Sequence, residues 1–202
     1  MTQTLLYKGD HINRANVVWN IAGSFVYAFA SMVLSFLVIR LAGEEQGGIF
    51  SFGFSTLGQQ LFLVAYFGIR PFHITDGAGE YTFGDYREHR NITCLIALAA
   101  GAVFMMIRHG AYLRGVGDYN GEKCTILLLL VVYKVIDGYA DVYESEFQRQ
   151  GSLYLTGKSN TFRTLLSVIC FMGSLMATEN LVFSCLVAVG ARFWACFCLT
   201  SL

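Results

Sequence analysis

The chain has 202 residues, 55% of them hydrophobic and only 14% charged, where soluble domains carry roughly a quarter charged residues. Mean hydropathy is +0.52, and fourteen basic residues cancel fourteen acidic ones. The balance excludes the basic excess of a nucleic-acid-binding protein and points to a single all-α membrane bundle over residues 1–202.

A membrane crossing takes about 20 residues of helix, and six apolar runs meet or approach that length: 17–41, 48–69, 92–107, 124–143, 162–177 and 181–202. The third and fifth are short and would need flanking residues. Ahead of them, MTQTLLYKGDHINRAN is polar and lacks a cleavable signal pattern, so the first run would itself direct insertion. Glycine is frequent and proline is represented by Pro71 alone, a composition suited to close helix approach in lipid.

The first run carries a polar stripe. Asn20, Ser24, Tyr27, Ser31 and Ser35 recur every three or four residues and so share one helix face. Small polar residues can serve helix packing alone, but Asn20 and Tyr27 are larger than packing requires. In the second run Ser51, Ser55, Gln59 and Tyr66 share a face, with Gln59 near its middle. A buried amide needs a partner or water, so Gln59 reads either as one interhelical hydrogen bond or as the wall of a cavity for sugar hydroxyls. The following segment, GIRPFHITDGAGEYTFGDYREHRN, mixes both charge signs with turn residues and aromatics, as a loop with an interfacial segment would. Its Asn91-Ile92-Thr93 matches a glycosylation sequon at a membrane boundary, where a chance match is expected.

The fourth run turns ionic partway along. After the apolar residues 126–132 come Lys134, Asp137, Asp141 and Glu144, spaced to lie on one helical face. Lipid does not accept such a face, and charges within spanning helices point into a bundle or a watery cavity. Lys134 stands near the middle of the run with Asp137 one turn on, so an intrahelical Lys134–Asp137 pair is expected, with Asp141 nearer the cytoplasmic mouth. The stripe either locks the bundle, leaving Asp141 and Glu144 wetted at the boundary, or lines a translocation path.

Orientation follows from lysine and arginine. With the N-terminus in the cytoplasm, inside segments hold Lys8, Arg14, Arg70, Arg87, Arg90, Arg149, Lys158 and Arg163, whereas outside segments hold only Arg40, Arg108, Arg114 and Lys123. Lys134 and Arg192 fall within runs. Six crossings then return the C-terminus to the cytoplasm. His11, His73, His89 and His109 all fall outside the runs and read as solvated loop residues. The six cysteines show no CxxC or Cys/His metal spacing and read as small apolar residues. No GxSxG, HExxH or P-loop motif is present, so neither an enzyme nor a cofactor or metal is expected.

The opening NVVWNIAGSFVYAFASMVLSFLVIRLAGEEQGGIFSFGFS resembles the first two helices of bacterial polysaccharide exporters of the multidrug/oligosaccharidyl-lipid/polysaccharide (MOP) flippase superfamily. The resemblance lies in Asn20 with Gly23 and Ser24, the small and aromatic run to Ser31, Arg40, Gly43, and Gly47-Gly48 leading to Phe50-Ser51. The loop with Arg70, Thr75-Asp76, Glu80-Tyr81, Tyr86 and Arg90 is similar to that family's first cytoplasmic loop. YKVIDGYADVYESEFQRQG resembles its fourth helix. The likeness spans about residues 10–165 and rests on hydrophobic pattern and scattered polar positions.

The resemblance implies one lobe of a two-lobe alternating-access flippase, carrying lipid-linked oligosaccharide across the cytoplasmic membrane for cell-surface polysaccharide synthesis. Its candidate cavity residues are Asn20, Ser24, Tyr27, Gln59, Lys134, Asp137 and Asp141, and its candidate cytoplasmic-mouth residues are Arg70, Asp76, Glu80 and Glu144. The chain supplies one lobe of that pattern, so a complementary C-terminal lobe or self-association is expected to complete it. Competing readings are half of a multidrug exporter, a membrane-embedded enzyme using Asp137 and Asp141 on a lipid-linked sugar, and a non-transporting bundle that binds a partner lobe.

Overall fold

A computed structural model of the chain describes the backbone of residues 11–200 and the side chains of residues 11–198. Every regular element among the described residues is helical: α1 (His11–Ser51), a π-helical segment (Phe52–Leu57), α2 (Gly58–Tyr66), α3 (Ile69–Thr75), α4 (Phe83–Leu113), α5 (Gly121–Arg149), α6 (Leu153–Thr178) and α7 (Leu181–Thr200). Among the described residues, four stretches are long and apolar enough to cross a membrane: His11–Thr75, Phe83–Leu113, Leu153–Thr178 and Leu181–Cys198. The chain is a helical membrane protein. Lys8, used in the orientation argument, and residues 201–202 of the sixth run lie outside the described residues.

The first two expected runs form one helical stretch interrupted at Gly43, whose φ of 87° and ψ of 171° break the helix. That φ disfavours any residue with a Cβ. The chain folds back there, and Gly47 sits so close to Ile39 that an added Cβ would come within 2.7 Å of the Ile39 Cα. The two short runs do borrow flanking residues. α4 begins nine residues before 92 because Thr82 and Asp85 close a capping box, which satisfies the first-turn amides. α6 begins at Leu153 and takes in the polar segment before 162.

α5 is the central helix, touching every other element. Its apolar half feeds two cores. Ile126, Leu130 and Tyr133 pack with Leu34, Val38, Phe50, Phe54, Phe171 and Leu181. Leu127, Val131 and Val135 pack with Leu57, Leu61, Ala65, Cys94 and Ala97 from the π segment, α2 and α4. Meanwhile Phe25, Phe29, Phe36, Leu95, Met106, Ile169 and Met176 face outward, the arrangement a bilayer permits and water does not. α1 and α6 meet at glycines: a Cβ on Gly157 would fall 2.0 Å from the Trp19 carbonyl, and one on Gly23 would fall 2.7 Å from the Gly157 carbonyl. Such closeness is the small-residue packing of membrane helices.

Candidate functional site

The central position of α5 turns its ionic stripe into a buried cluster. Lys134, Asp137, Asp141 and Glu144 are all buried, as are Arg90, Arg163 and Arg192. An unpaired charge in hydrocarbon or protein interior is costly, and each carboxylate takes arginine partners from other helices. Asp137 Oδ1 accepts from the Arg192 guanidinium of α7 in a very short bond and from Arg163 Nε of α6 at 3.3 Å. Asp141 accepts from Arg70 Nη1 of α3 at 2.6 Å and from Arg90 Nη2 of α4 at 2.8 Å. Glu144 Oε1 accepts from Arg163 Nη1 at 2.8 Å and Ser159 at 3.2 Å.

The arginines are themselves held in place. Arg192 Nη1 also donates to the Tyr133 hydroxyl at 2.9 Å and Ser167 Oγ at 3.1 Å. Arg90 Nη1 donates to the Ala65 and Tyr66 carbonyls, both at 2.8 Å, at the end of α2 where carbonyls lack intrahelical donors. Arg70, 20% exposed, reaches Gln148 Oε1 at 2.8 Å. Asp137 Oδ2 has no hydrogen-bond partner among the described residues.

The expected Lys134–Asp137 pair does not form. α7 and α6 bring two guanidiniums to Asp137, and a planar fork matches a carboxylate better than an ammonium one turn away. Lys134, 3% exposed, turns instead to the seam between α1 and the π segment. Its Nζ donates to the Tyr27 hydroxyl at 2.9 Å and lies 3.9 Å from the Phe54 ring centroid. No carboxylate among the described residues lies within ion-pair distance of it.

Of the other expected cavity residues, Asn20 is half-buried at the α1–α6 crossing, while Ser24 and Gln59 are exposed. Ser24 lies one turn before Tyr27, and Gln59 follows Gly58, whose added Cβ would meet the Lys134 side chain at 2.9 Å. Glu144 is interior, not wetted at a boundary, because α6 packs its arginine over it. Asp76 lies in the loop after α3, where its carboxylate accepts the Glu80 and Tyr81 amides at 3.0 and 3.2 Å and the Tyr86 hydroxyl at 3.1 Å. Those amides hold its carboxyl below the usual carboxylate range. Glu80 is exposed.

Two further expectations are corrected. His73 is not a solvated loop residue: it is fully buried, stacked on Tyr86 at 4.2 Å, with Nε2 bonded to Glu146 at 2.8 Å. Arg90 and Arg163, counted as inside loop charges, are interior cluster members. The lone Arg192 within an apolar run was a readable signal, whereas nothing in the sequence paired Arg163 with Glu144.

Comparisons with protein-family models, curated proteins and solved structures gave no match.

Proposed function

We propose that this chain forms one lobe of a membrane transporter that flips an anionic, lipid-linked oligosaccharide, as its resemblance to polysaccharide exporters implies. The observation that carries the reading is Lys134, buried with no carboxylate within ion-pair distance among the described residues, at a seam where it meets the Tyr27 hydroxyl. Five cations, Arg70, Arg90, Lys134, Arg163 and Arg192, stand with three carboxylates, Asp137, Asp141 and Glu144. The cluster is therefore positive overall. An intramembrane charge of that kind favours an anion such as the phosphates joining a sugar to its lipid.

The same balance disfavours an exporter of hydrophobic cations. It also disfavours an enzyme built on Asp137 and Asp141, since arginines from four helices already occupy both carboxylates. In this reading, the limbs on either side of Gly43 cross separately and α5 crosses as well, giving six crossings with the N-terminus in the cytoplasm. The exposed Ser24, Ser55 and Gln59 line a polar wall that a complementary lobe or a second copy faces.

The test is binding of a fluorescent polyprenyl-diphosphate oligosaccharide to the purified protein. Wild type should bind, and Lys134→Met should lose at least tenfold in affinity, about 1.4 kcal/mol, with thermal unfolding preserved. Equal binding by a folded Lys134→Met protein would overturn the anion site. Preferential binding of a lipophilic cation would favour the multidrug reading instead.

A further inference from the structure

A second feature lies on the opposite side of α5 from Lys134. Between α4 and α7 the side of α5 is uncovered, leaving a cleft of about 350 Å³ lined by Leu98, Val132, Val135, Ile136, Tyr139 and Phe193. Its wall is apolar except at one end. There the Tyr139 and Tyr143 hydroxyls meet at 3.2 Å, and Phe83 at the start of α4 packs edge-on to Tyr143 at 5.3 Å. Two hydroxyls joined by one hydrogen bond keep one O–H to donate outward. Arg87, one turn into α4 from Phe83 and so on the same face of that helix, is exposed. It has no ion-pair partner among the described residues.

The dimensions choose between ligands. The α5 wall of the cleft runs from Val132 to Tyr139, a rise of about 10 Å at 1.5 Å per residue, and one leaflet's hydrocarbon is about 15 Å deep. The cleft thus falls within the depth of one leaflet, with the Tyr139–Tyr143 pair at one end, a residue type that membrane proteins place at the interface, and Arg87 on the neighbouring turn of α4. A polyprenyl chain longer than one leaflet would overrun it. We propose that this cleft is a binding site for an anionic phospholipid of the leaflet at the Arg87 end, its acyl chain along α5 and its phosphate on Arg87 and the Tyr139–Tyr143 pair. The site rests on the crossing of α5 proposed above, and not on transport or on the sugar carried.

Native mass spectrometry of the detergent-purified protein tests it, with phosphatidylglycerol, phosphatidylcholine and polyprenyl phosphate as probes. Phosphatidylglycerol should be retained over phosphatidylcholine by about fivefold or more, the scale of one basic residue at an anionic surface. Arg87→Gln should bring the ratio near one, and Arg87→Lys should restore most of it. Ile136→Trp should reduce retention of both phospholipids by filling the cleft. Because Arg87 is exposed and unpaired, its variants should match wild type in thermal unfolding. A ratio unchanged in Arg87→Gln would overturn the headgroup assignment. Stronger retention of polyprenyl phosphate than of phosphatidylglycerol at the cleft, lost in Ile136→Trp, would overturn the choice of ligand.

Discussion

The polar stripe of α5 and the polar stripe of α1 begin from the same pattern, side chains recurring every three or four residues along an apolar helix, and end in opposite surroundings. On α5 the stripe is buried on all sides, because α6, α7, α3 and α4 each deliver an arginine to it. On α1 only Tyr27 turns inward to Lys134, while Ser24 lies exposed. The difference comes from helix position: α5 is enclosed, and α1 is an outer helix gripped from one side by α6. Periodicity says which residues share a face; the neighbours decide whether that face is interior, and only an interior face needs full electrostatic compensation.

Asp137→Asn should break the α5 side hardest. It leaves Arg192 and part of Arg163 without a counter-charge, a loss of about 3–5 kcal/mol, measured by thermal or denaturant unfolding in detergent. Asp141→Asn should cost less, about 1.5–3 kcal/mol, since Arg70 reaches Gln148 and the protein edge and Arg90 keeps its two carbonyls. If Asp141→Asn proves the worse of the two, the ranking by what the arginines retain is wrong.

Gly157→Val comes next. Its side chain would collide with backbone at the Trp19 carbonyl, and an overpacked contact typically costs about 1–3 kcal/mol. Loss of the α1–α6 contact should be visible as faster proteolysis of α1, and a variant with wild-type melting would mean the helices separate easily.

Lys134→Met divides the stripe internally. No carboxylate is orphaned by removing this ammonium, so the stability change should stay under about 1.5 kcal/mol. A collapse comparable to Asp137→Asn would show that Lys134 compensates the carboxylates after all.

Ser24→Ala and Gln59→Ala sharpen the α1 side. Both residues are exposed, and such changes are usually within about 0.5 kcal/mol, while affinity for the lipid-linked oligosaccharide should fall. Unaltered affinity in the double variant would remove these residues from the polar wall.

The smallest effect is local and pH-dependent. Asp76, held below its ordinary range by the Glu80 and Tyr81 amides, supports the loop above its unfolded pKa and loses that support as pH falls through its lower folded value. Hydrogen exchange at Glu80 and Tyr81 should therefore accelerate below about pH 4, and in Asp76→Asn it should be fast and pH-independent once corrected for intrinsic rates. Protection unchanged down to pH 2 would show that the carboxylate does not hold the turn.

Composition and hydrophobic runs by themselves determined that this is a helical membrane protein, roughly where its longer helices lie, and that Lys134, Asp137, Asp141 and Glu144 share a face, because each of these is a property of one helix; α3 formed in the segment expected to be a loop. Only the tertiary structure decided the partners. Arg70, Arg90, Arg163 and Arg192 reach α5 from four different helices, and the choice of Arg192 over Lys134 for Asp137 depends on where α7 packs. His73 was unreadable in the same way, since its burial against Tyr86 and Glu146 comes from α3 folding onto α5. Periodicity fixes geometry within a helix, whereas ion pairing between helices is set by packing between residues far apart in the chain.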